Sequence, residues 1–338
     1  MAAAEIPCVK LLDGTSIPVL GLGTWESKPG EVKTAVDAAI SAGYRHIDCS
    51  PTYGNEAEVG DAIAAKIKDG SVTRDQIYIV SKLWQTYHEP DVVEDGLRAT
   101  LKNLQVDYLD LYLMHFPIGF KVKISKWWFD LFISIFNFFK QQSGLVPAHD
   151  ANNQIITTDR DYVDTWKAME KLVEKKLVRS IGVSNFNEEQ VDRILTNCTI
   201  KPVTNQIECH PYFNQKSLSE HCAKRGVIVT GYSPFARPSR SWVGPDEPIL
   251  LEEPALVVIA KKYNKTVANI LLRYQIDCGH ITIPKTVSPE RMKQNKQIFD
   301  FKLEPSDISE IEKLNRPDGR IFRLALLSFC KNHKYYPF

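Results

Sequence analysis

The sequence is expected to adopt an α/β fold, a (β/α)8 barrel of the TIM type preceded by a β-hairpin. Two patterns that are present and one that is missing carry that expectation. Eight short apolar runs, rich in β-branched residues, alternate with stretches of helical period along the 338 residues. Parallel strands buried on both faces, joined by crossover helices, have this pattern. Chemistry-bearing side chains fall at the ends of successive runs: Lys82 lies 34 residues after Asp48, and His115 lies 33 after Lys82. So regular an interval asks for a repeated unit. The competing architecture, an open doubly wound sheet, would carry a G-x-G-x-x-G turn after its first strand. Gly21-Leu22-Gly23-Thr24 begins one, but the third glycine does not follow.

Residues 7–18 read as the hairpin: Cys8-Val9-Lys10-Leu11, an Asp13-Gly14 turn, then Ser16-Ile17-Pro18. It is placed to plug the bottom of the barrel. Strands are read at Val19–Gly21, His46–Asp48, Ile77–Ser81, Leu109–His115, Ser180–Ser184, Thr204–Glu208, Ile228–Tyr232 and Ile281–Pro284. Helical patterns lie near Glu31–Ala42, Glu56–Asp69, Asp91–Asn103, Tyr162–Lys175, Glu188–Thr196, Gln215–Arg225, Val267–Cys278 and Pro289–Phe299. In the fourth of these, Val163, Trp166, Met169, Leu172 and Val173 share one face at helical spacing. The tail beyond Asn315 reads as irregular. No linker divides the chain, so 1–338 is expected to form one domain, with an insertion at about 120–141.

Forty-two Lys and Arg against 41 Asp and Glu leave a net charge of +1. No field of one sign draws this chain toward nucleic acid. Seven cysteines, odd in number and without C-x-x-C spacing, suit reduced thiols in a cytoplasmic protein. The start, Met1-Ala-Ala-Ala-Glu-Ile-Pro, lacks the basic and apolar regions of a signal peptide. No metal is expected.

In such a barrel the C-terminal strand ends form one mouth. Asp48 ends the second strand, Lys82 follows the third, His115 ends the fourth, and Tyr53 lies in the loop after Asp48. A phenol with a pKa of about 10 is a poor acid near neutrality. A nearby ammonium favours the phenolate and lowers that value, and a carboxylate would hold the ammonium in place. An imidazole can donate to an oxygen on which negative charge develops. Alone, these would be a turn tyrosine, a solvated lysine and a structural histidine. Together on consecutive strand ends, they have the parts of a carbonyl-reducing proton relay.

The run Gly43-Tyr44-Arg45-His46-Ile47-Asp48-Cys49-Ser50, continuing through Tyr53-Gly54-Asn55-Glu56 to Gly60, resembles a signature of the aldo-keto reductases. Ile181-Gly182-Val183-Ser184-Asn185-Phe186 is similar to their fifth-strand motif. Ile283-Pro284-Lys285-Thr286-Val287-Ser288-Pro289-Glu290-Arg291, with Gln294-Asn295, is similar to their eighth-strand motif. Three long motifs in order, spread over nearly the whole chain, are specific. The resemblance is to the aldose/aldehyde reductase branch.

That resemblance implies NADPH-dependent reduction of aldehydes and ketones to alcohols. It makes Asp48, Tyr53, Lys82 and His115 the catalytic set, with Tyr53 the acid, Lys82 and Asp48 lowering its pKa, and His115 orienting the carbonyl. It implies cofactor contacts from Thr24, Trp25, Asp48, Ser184, Asn185, Gln206, Tyr232, Ser233, Lys285, Thr286, Arg291, Gln294 and Asn295. Among these, Ser184, Asn185 and Gln206 would bind the nicotinamide carboxamide, and Tyr232 would stack on its ring. Lys285, Thr286 and Arg291, at the start of the eighth helix, suit a 2′-phosphate, which favours NADPH over NADH. Substrate would meet Trp25, Tyr53, Trp84, His115, Phe116 and Trp242, with Phe120 near. An aromatic wall of this kind favours hydrophobic carbonyl compounds.

A C-terminal substrate loop with Phe322, Leu324, Leu326, Leu327 and Cys330 would close the pocket. Alternatives are a steroid or ecdysteroid ketone reductase and a cofactor-binding regulatory subunit. A monomer is expected. In place of the branch's basic-to-acidic clasp over the cofactor stand Glu26 and Ser239, with Arg237 nearby, so a charge-reversed clasp between Glu26 and Arg237 is expected. The inserted run 127–139, flanked by Lys126 and Lys140, is too short to span a bilayer. It suits a lid, or an interfacial or partner contact.

Overall fold

The computed structural model of the chain describes residues 5–123, 146–236, 248–322 and 330–338. Strands β1 (Cys8–Lys10) and β2 (Ser16–Pro18) pair antiparallel with Val9 opposite Ile17. Asp13-Gly14 makes the turn, Gly14 at φ 87°, a left-handed backbone that a residue without Cβ adopts freely. Leu11 and Ile17 are buried against Tyr78, Val80, Leu111, Leu113, Val203 and Ile281. The hairpin is thereby the plug expected at the N-terminal end of the barrel.

The remaining elements alternate. They are β3 (Leu22–Gly23), α1 (Glu31–Ser41), β4 (His46–Asp48), α2 (Glu56–Lys68), β5 (Tyr78–Leu83), α3 (Val93–Leu104), β6 (Leu109–Met114), α4 (Tyr162–Glu174) and β7 (Val178–Ser184). Then come α5 (Glu188–Asn197), β8 (Thr204–Glu208), α6 (Lys216–Ala223), β9 (Ile228–Tyr232), α7 (Pro254–Tyr263), α8 (Val267–Asp277), β10 (Ile281–Thr282), α9 (Pro289–Asn295) and α10 (Pro305–Glu312). Strands β3 to β10 lie side by side in chain order, each parallel to the next. Bridges from Leu20 to Thr282 and from Gly23 to Lys285 close the circle.

Helix ends follow local chemistry. Asn187 and Gln190 form a reciprocal capping box at α5, as Thr266 and Asn269 do at α8. In α4 the expected stripe is buried, Val163, Trp166, Met169 and Leu172 fully and Val173 partly. Trp166, the largest fully buried side chain, also satisfies its indole N–H by donating to Ile200 O at 3.1 Å.

Three expectations are corrected. The first barrel strand is Leu22–Gly23, not Val19–Gly21, because residues 19–21 bond toward β10 and toward the hairpin: Thr282 N donates to Val19 O, Gly21 N to Thr282 O, and Val19 N to Pro7 O. The helices α7 and α10 were absent from the sequence reading. Each opens on a proline in its first turn, the residue whose missing N–H costs a helix nothing there. The last expected helix stops at Asn295 rather than Phe299. Among the described residues no helix is long and apolar enough to cross a membrane. The run 127–139 lies outside them.

Candidate active site

Strands β4 and β5 pair with Asp48 opposite Val80, so Asp48 and Lys82 enter the barrel interior at neighbouring levels. Both are sealed from solvent, Lys82 at 1% exposure and Asp48 at 2%. Lys82 Nζ donates to Asp48 Oδ1 at 2.6 Å, to Cys49 O at 2.9 Å and to Tyr53 Oη at 3.1 Å. All three ammonium protons are thus committed. A single 3-10 turn, Pro51–Tyr53, ended by Gly54 at φ 68°, brings the phenol back over the strand ends. Asp48 Oδ2 accepts from Gln206 Nε2 at 2.8 Å, while Thr24 Oγ1 donates to Asp48 O at 2.8 Å. Since the Tyr53 oxygen accepts from Lys82, the phenolic proton is left to go elsewhere.

Charge balance departs from the sequence expectation. Burial raises the Tyr53 pKa most, Lys82 pulls it down, and Asp48 raises it again, leaving it pushed up to about 12. Lys82 therefore acts as expected, but Asp48 does not lower the phenol's pKa; its negative charge opposes the phenolate. Burial alone would discharge Lys82, yet Asp48 and then Tyr53 lift it above its ordinary value. His115 is held well below its usual pKa by burial, then by Lys82 and His88, so the ring is neutral. Its Nδ1 lies 3.4 Å from Ser50 Oγ.

The strand-end amides form a second network. Ser184 Oγ donates to Gln206 O at 2.8 Å. Asn185, at φ 61°, donates through Nδ2 to His115 O at 3.0 Å and to Ser184 Oγ at 3.1 Å. Its Oδ1 accepts from Tyr232 Oη at 2.9 Å. Ser184, Asn185, Gln206 and Tyr232 thus converge beside the Asp48–Lys82 pair, with Ser233 next in the chain at φ 53°. Lys285, joined to Gly23 by the closing bridge, donates to Glu26 O at 3.3 Å. Lys285, Arg291 and Gln294 are exposed, Thr286 is half-buried and Asn295 is buried. Two exposed cations and a set of amide donors and acceptors on one rim fit the phosphate and carboxamide of a nicotinamide dinucleotide.

Aromatic residues face the mouth from two sides. Trp84 is edge-on to His115 at 5.7 Å and to Phe120 at 5.6 Å, and Phe116 stacks on His115 at 5.3 Å. Across from them, Trp25 contacts Phe322 at 5.2 Å, and Phe322 meets Tyr232 at 5.5 Å. Trp242, Arg237, Ser239, Leu324, Leu326 and Leu327 lie outside the described residues, and with them the Glu26–Arg237 clasp. Two buried carboxylates near the mouth escaped the sequence reading. Glu56 accepts from Ser81 Oγ at 2.6 Å, and burial, against weaker pulls from its hydrogen bonds and Lys82, pushes it up to about 7. Glu208, ending β8, accepts from Ile321 N at 2.6 Å and Phe322 N at 3.1 Å.

A closed parallel barrel with a buried Lys–Asp pair under a tyrosine at its mouth defines an oxidoreductase built for carbonyl groups. Residues 19–316 match the model of the aldo/keto reductase family, and the chain belongs to that family. It is similar to aldo-keto reductase family 1 member A1 of Gallus gallus, at 48% identity over 91% of this chain and 88% of the relative. Against the protein of the same name from Xenopus tropicalis, identity is 47% over 99% of this chain and 98% of the relative. The structure superposes on the aldose reductase of Schistosoma japonicum with a TM-score of 0.84 at 39% identity, covering 98% of each chain. On a Bombyx mori aldo-keto reductase in complex with NADP the TM-score is 0.82 at 36% identity, covering 99% of this chain and all of the other. The steroid-reductase and regulatory-subunit alternatives are not favoured by these relatives.

Proposed function

We infer that Tyr53 hands the proton to the carbonyl oxygen in the reaction this enzyme catalyses, the NADPH-dependent reduction of aldehydes and ketones to alcohols. One observation carries the assignment: Lys82 Nζ donates at once to Asp48 Oδ1 and to Tyr53 Oη. Bound NADPH supplies the hydride to the carbonyl carbon. As negative charge gathers on the carbonyl oxygen, Tyr53 gives up its proton, and the phenolate left behind is stabilised by the ammonium already bonded to it. With its pKa pushed up to about 12, the phenol is fully protonated at neutral pH. It transfers its proton only to a strong base, such as the alkoxide that reduction creates. Asp48 keeps Lys82 charged and in place. Neutral His115, with Nδ1 toward Ser50, uses its other nitrogen to orient the carbonyl oxygen.

In this reading Ser184, Asn185 and Gln206 hold the carboxamide, and Tyr232 covers the nicotinamide face. Lys285, Thr286, Arg291, Gln294 and Asn295 take the adenosine phosphate end, and Thr24, Trp25 and Ser233 flank the chain of phosphates. Trp25, Trp84, Phe116 and Trp242 wall the substrate, favouring hydrophobic aldehydes. The protein would work as a single-domain monomer in the cytoplasm, in keeping with its seven free thiols. The test is NADPH consumption with a panel of carbonyl compounds, wild type against Tyr53→Phe. Loss of turnover with cofactor binding intact supports the assignment; full activity in the variant refutes it.

A further inference from the structure

We propose that Glu208 is a positioning residue for substrate selectivity, holding Phe322 at the mouth through two consecutive backbone amides. The proposal rests on the reading of that mouth as the carbonyl site. Glu208 ends β8 with its side chain fully buried. A buried carboxylate needs donors or opposite charge on both oxygens, and this one has them: Oε1 accepts from Ile321 N at 2.6 Å and from His210 Nε2 at 2.9 Å, and Oε2 accepts from Phe322 N at 3.1 Å. The Arg320 guanidinium, stacked between the rings of Phe213 at 4.3 Å and Phe338 at 3.8 Å, is the cation whose charge Glu208 feels.

The same segment is tied down again one turn earlier. Arg316 N donates to Tyr212 O at 3.2 Å, the Arg316 guanidinium lies 3.8 Å over the Tyr212 ring, and Gly319 N closes a turn on Arg316 O at 3.1 Å. A Cβ on Gly319 would stand 1.6 Å from Tyr212 O, so only glycine lets the strap pass this close. Beyond the strap, the Phe322 ring meets Trp25 and Tyr232. The carboxylate thus fixes, from the end of β8, an aromatic wall contributed 114 residues later. Glu208 touches no reacting atom; it acts through Phe322.

Glu208→Gln replaces one acceptor oxygen by an NH2, which sets donor against donor at Ile321 or Phe322. The experiment compares kcat/KM for an aromatic aldehyde, which reaches the Phe322 wall, with that for a three-carbon aliphatic aldehyde, which does not. In Glu208→Gln the aromatic-to-aliphatic ratio should fall about tenfold, through KM for the aromatic substrate, while kcat for the small one is unchanged. Phe322→Ala should give the same fall, and the double variant should be no worse than either single one. Gly319→Ala, which lifts the strap from its other end, should shift the ratio the same way, and it decides the matter if Glu208→Gln does not fold. Equal losses for both substrates, or additive losses in the double variant, would overturn the proposal. Tyr53→Phe keeps the two readings apart: it should abolish turnover of both aldehydes, and survival of activity there condemns the acid assignment and not the strap.

Discussion

Asp48 and Asp110 are buried carboxylates at opposite ends of one barrel, and both face cations. Asp48 closes β4 at the mouth, where its partner is the ammonium of Lys82, itself sealed from solvent. Asp110 opens β6 at the plugged end. There it accepts from Arg74 at 2.9 Å, from Arg179 at 3.1 Å and from Ile79 N at 2.9 Å. The two guanidiniums stack on Tyr108 and reach solvent in part. The lower cluster ties three neighbouring strands together, and each donor that reaches Asp110 serves structure. The upper pair spends two of its three protons on structure and points the third at a phenol. A buried carboxylate facing a cation is therefore a rivet at one end and part of a proton relay at the other, and the difference lies in which cation it holds and what that cation touches next.

Three experiments would break or sharpen that contrast. The largest effect belongs to Tyr53→Phe, which should lower kcat by about 10²–10⁴-fold with the thermal midpoint unchanged; steady-state kinetics beside calorimetry checks both halves. Asp48→Asn strands a buried ammonium and should cost about 3–5 kcal/mol of stability together with turnover, read by urea unfolding and NADPH oxidation. Asp110→Asn should cost about 1–3 kcal/mol and leave kcat unchanged, because its arginines can turn to water. A loss of kcat there equal to that of Asp48→Asn would erase the distinction between the two ends.

Smaller effects appear on titration. Lys82 and Tyr53 both have folded pKa values above their ordinary ones, so both favour the folded state below about pH 10; Tyr53 loses that contribution as pH rises through about 12, and Lys82 only at still higher pH. The urea midpoint of wild type should fall over that window more steeply than that of Tyr53→Phe. Glu56, raised to about 7, has the same sign at lower pH: its contribution is present below about pH 4 and is lost by about pH 7. Glu56→Gln should flatten that slope.

Much of this was legible in the sequence because it is local or periodic. The strand–helix alternation and the stripe on α4 follow from spacing and the hairpin turn from its Asp13-Gly14 pair; the one-unit interval between strand ends puts Asp48, Lys82 and His115 at one mouth, with Tyr53 in the loop after Asp48. What spacing cannot supply is burial and partnership at a distance. The rise of the Tyr53 pKa depends on how much protein surrounds the phenol, which no motif states. Glu208 looked like an ordinary strand residue because its partners, Ile321 and Phe322, come from the far end of the chain. Helix α7 was findable: Pro254 opens it, and Leu256, Ile259 and Ala260 lie on its buried face. Its signal was lost beside the stronger pattern of α8.

The hairpin at residues 8–18 has a consequence for how the chain is made. It is made ahead of the barrel strands, yet Leu11 and Ile17 bury against Tyr78, Leu111, Val203 and Ile281, and Leu20, just after it, bridges to Thr282. The plug cannot be seated until the last barrel strand has been synthesised. Its socket is complete only when the two ends of the barrel have met, a contact of long sequence separation of the kind that forms slowly.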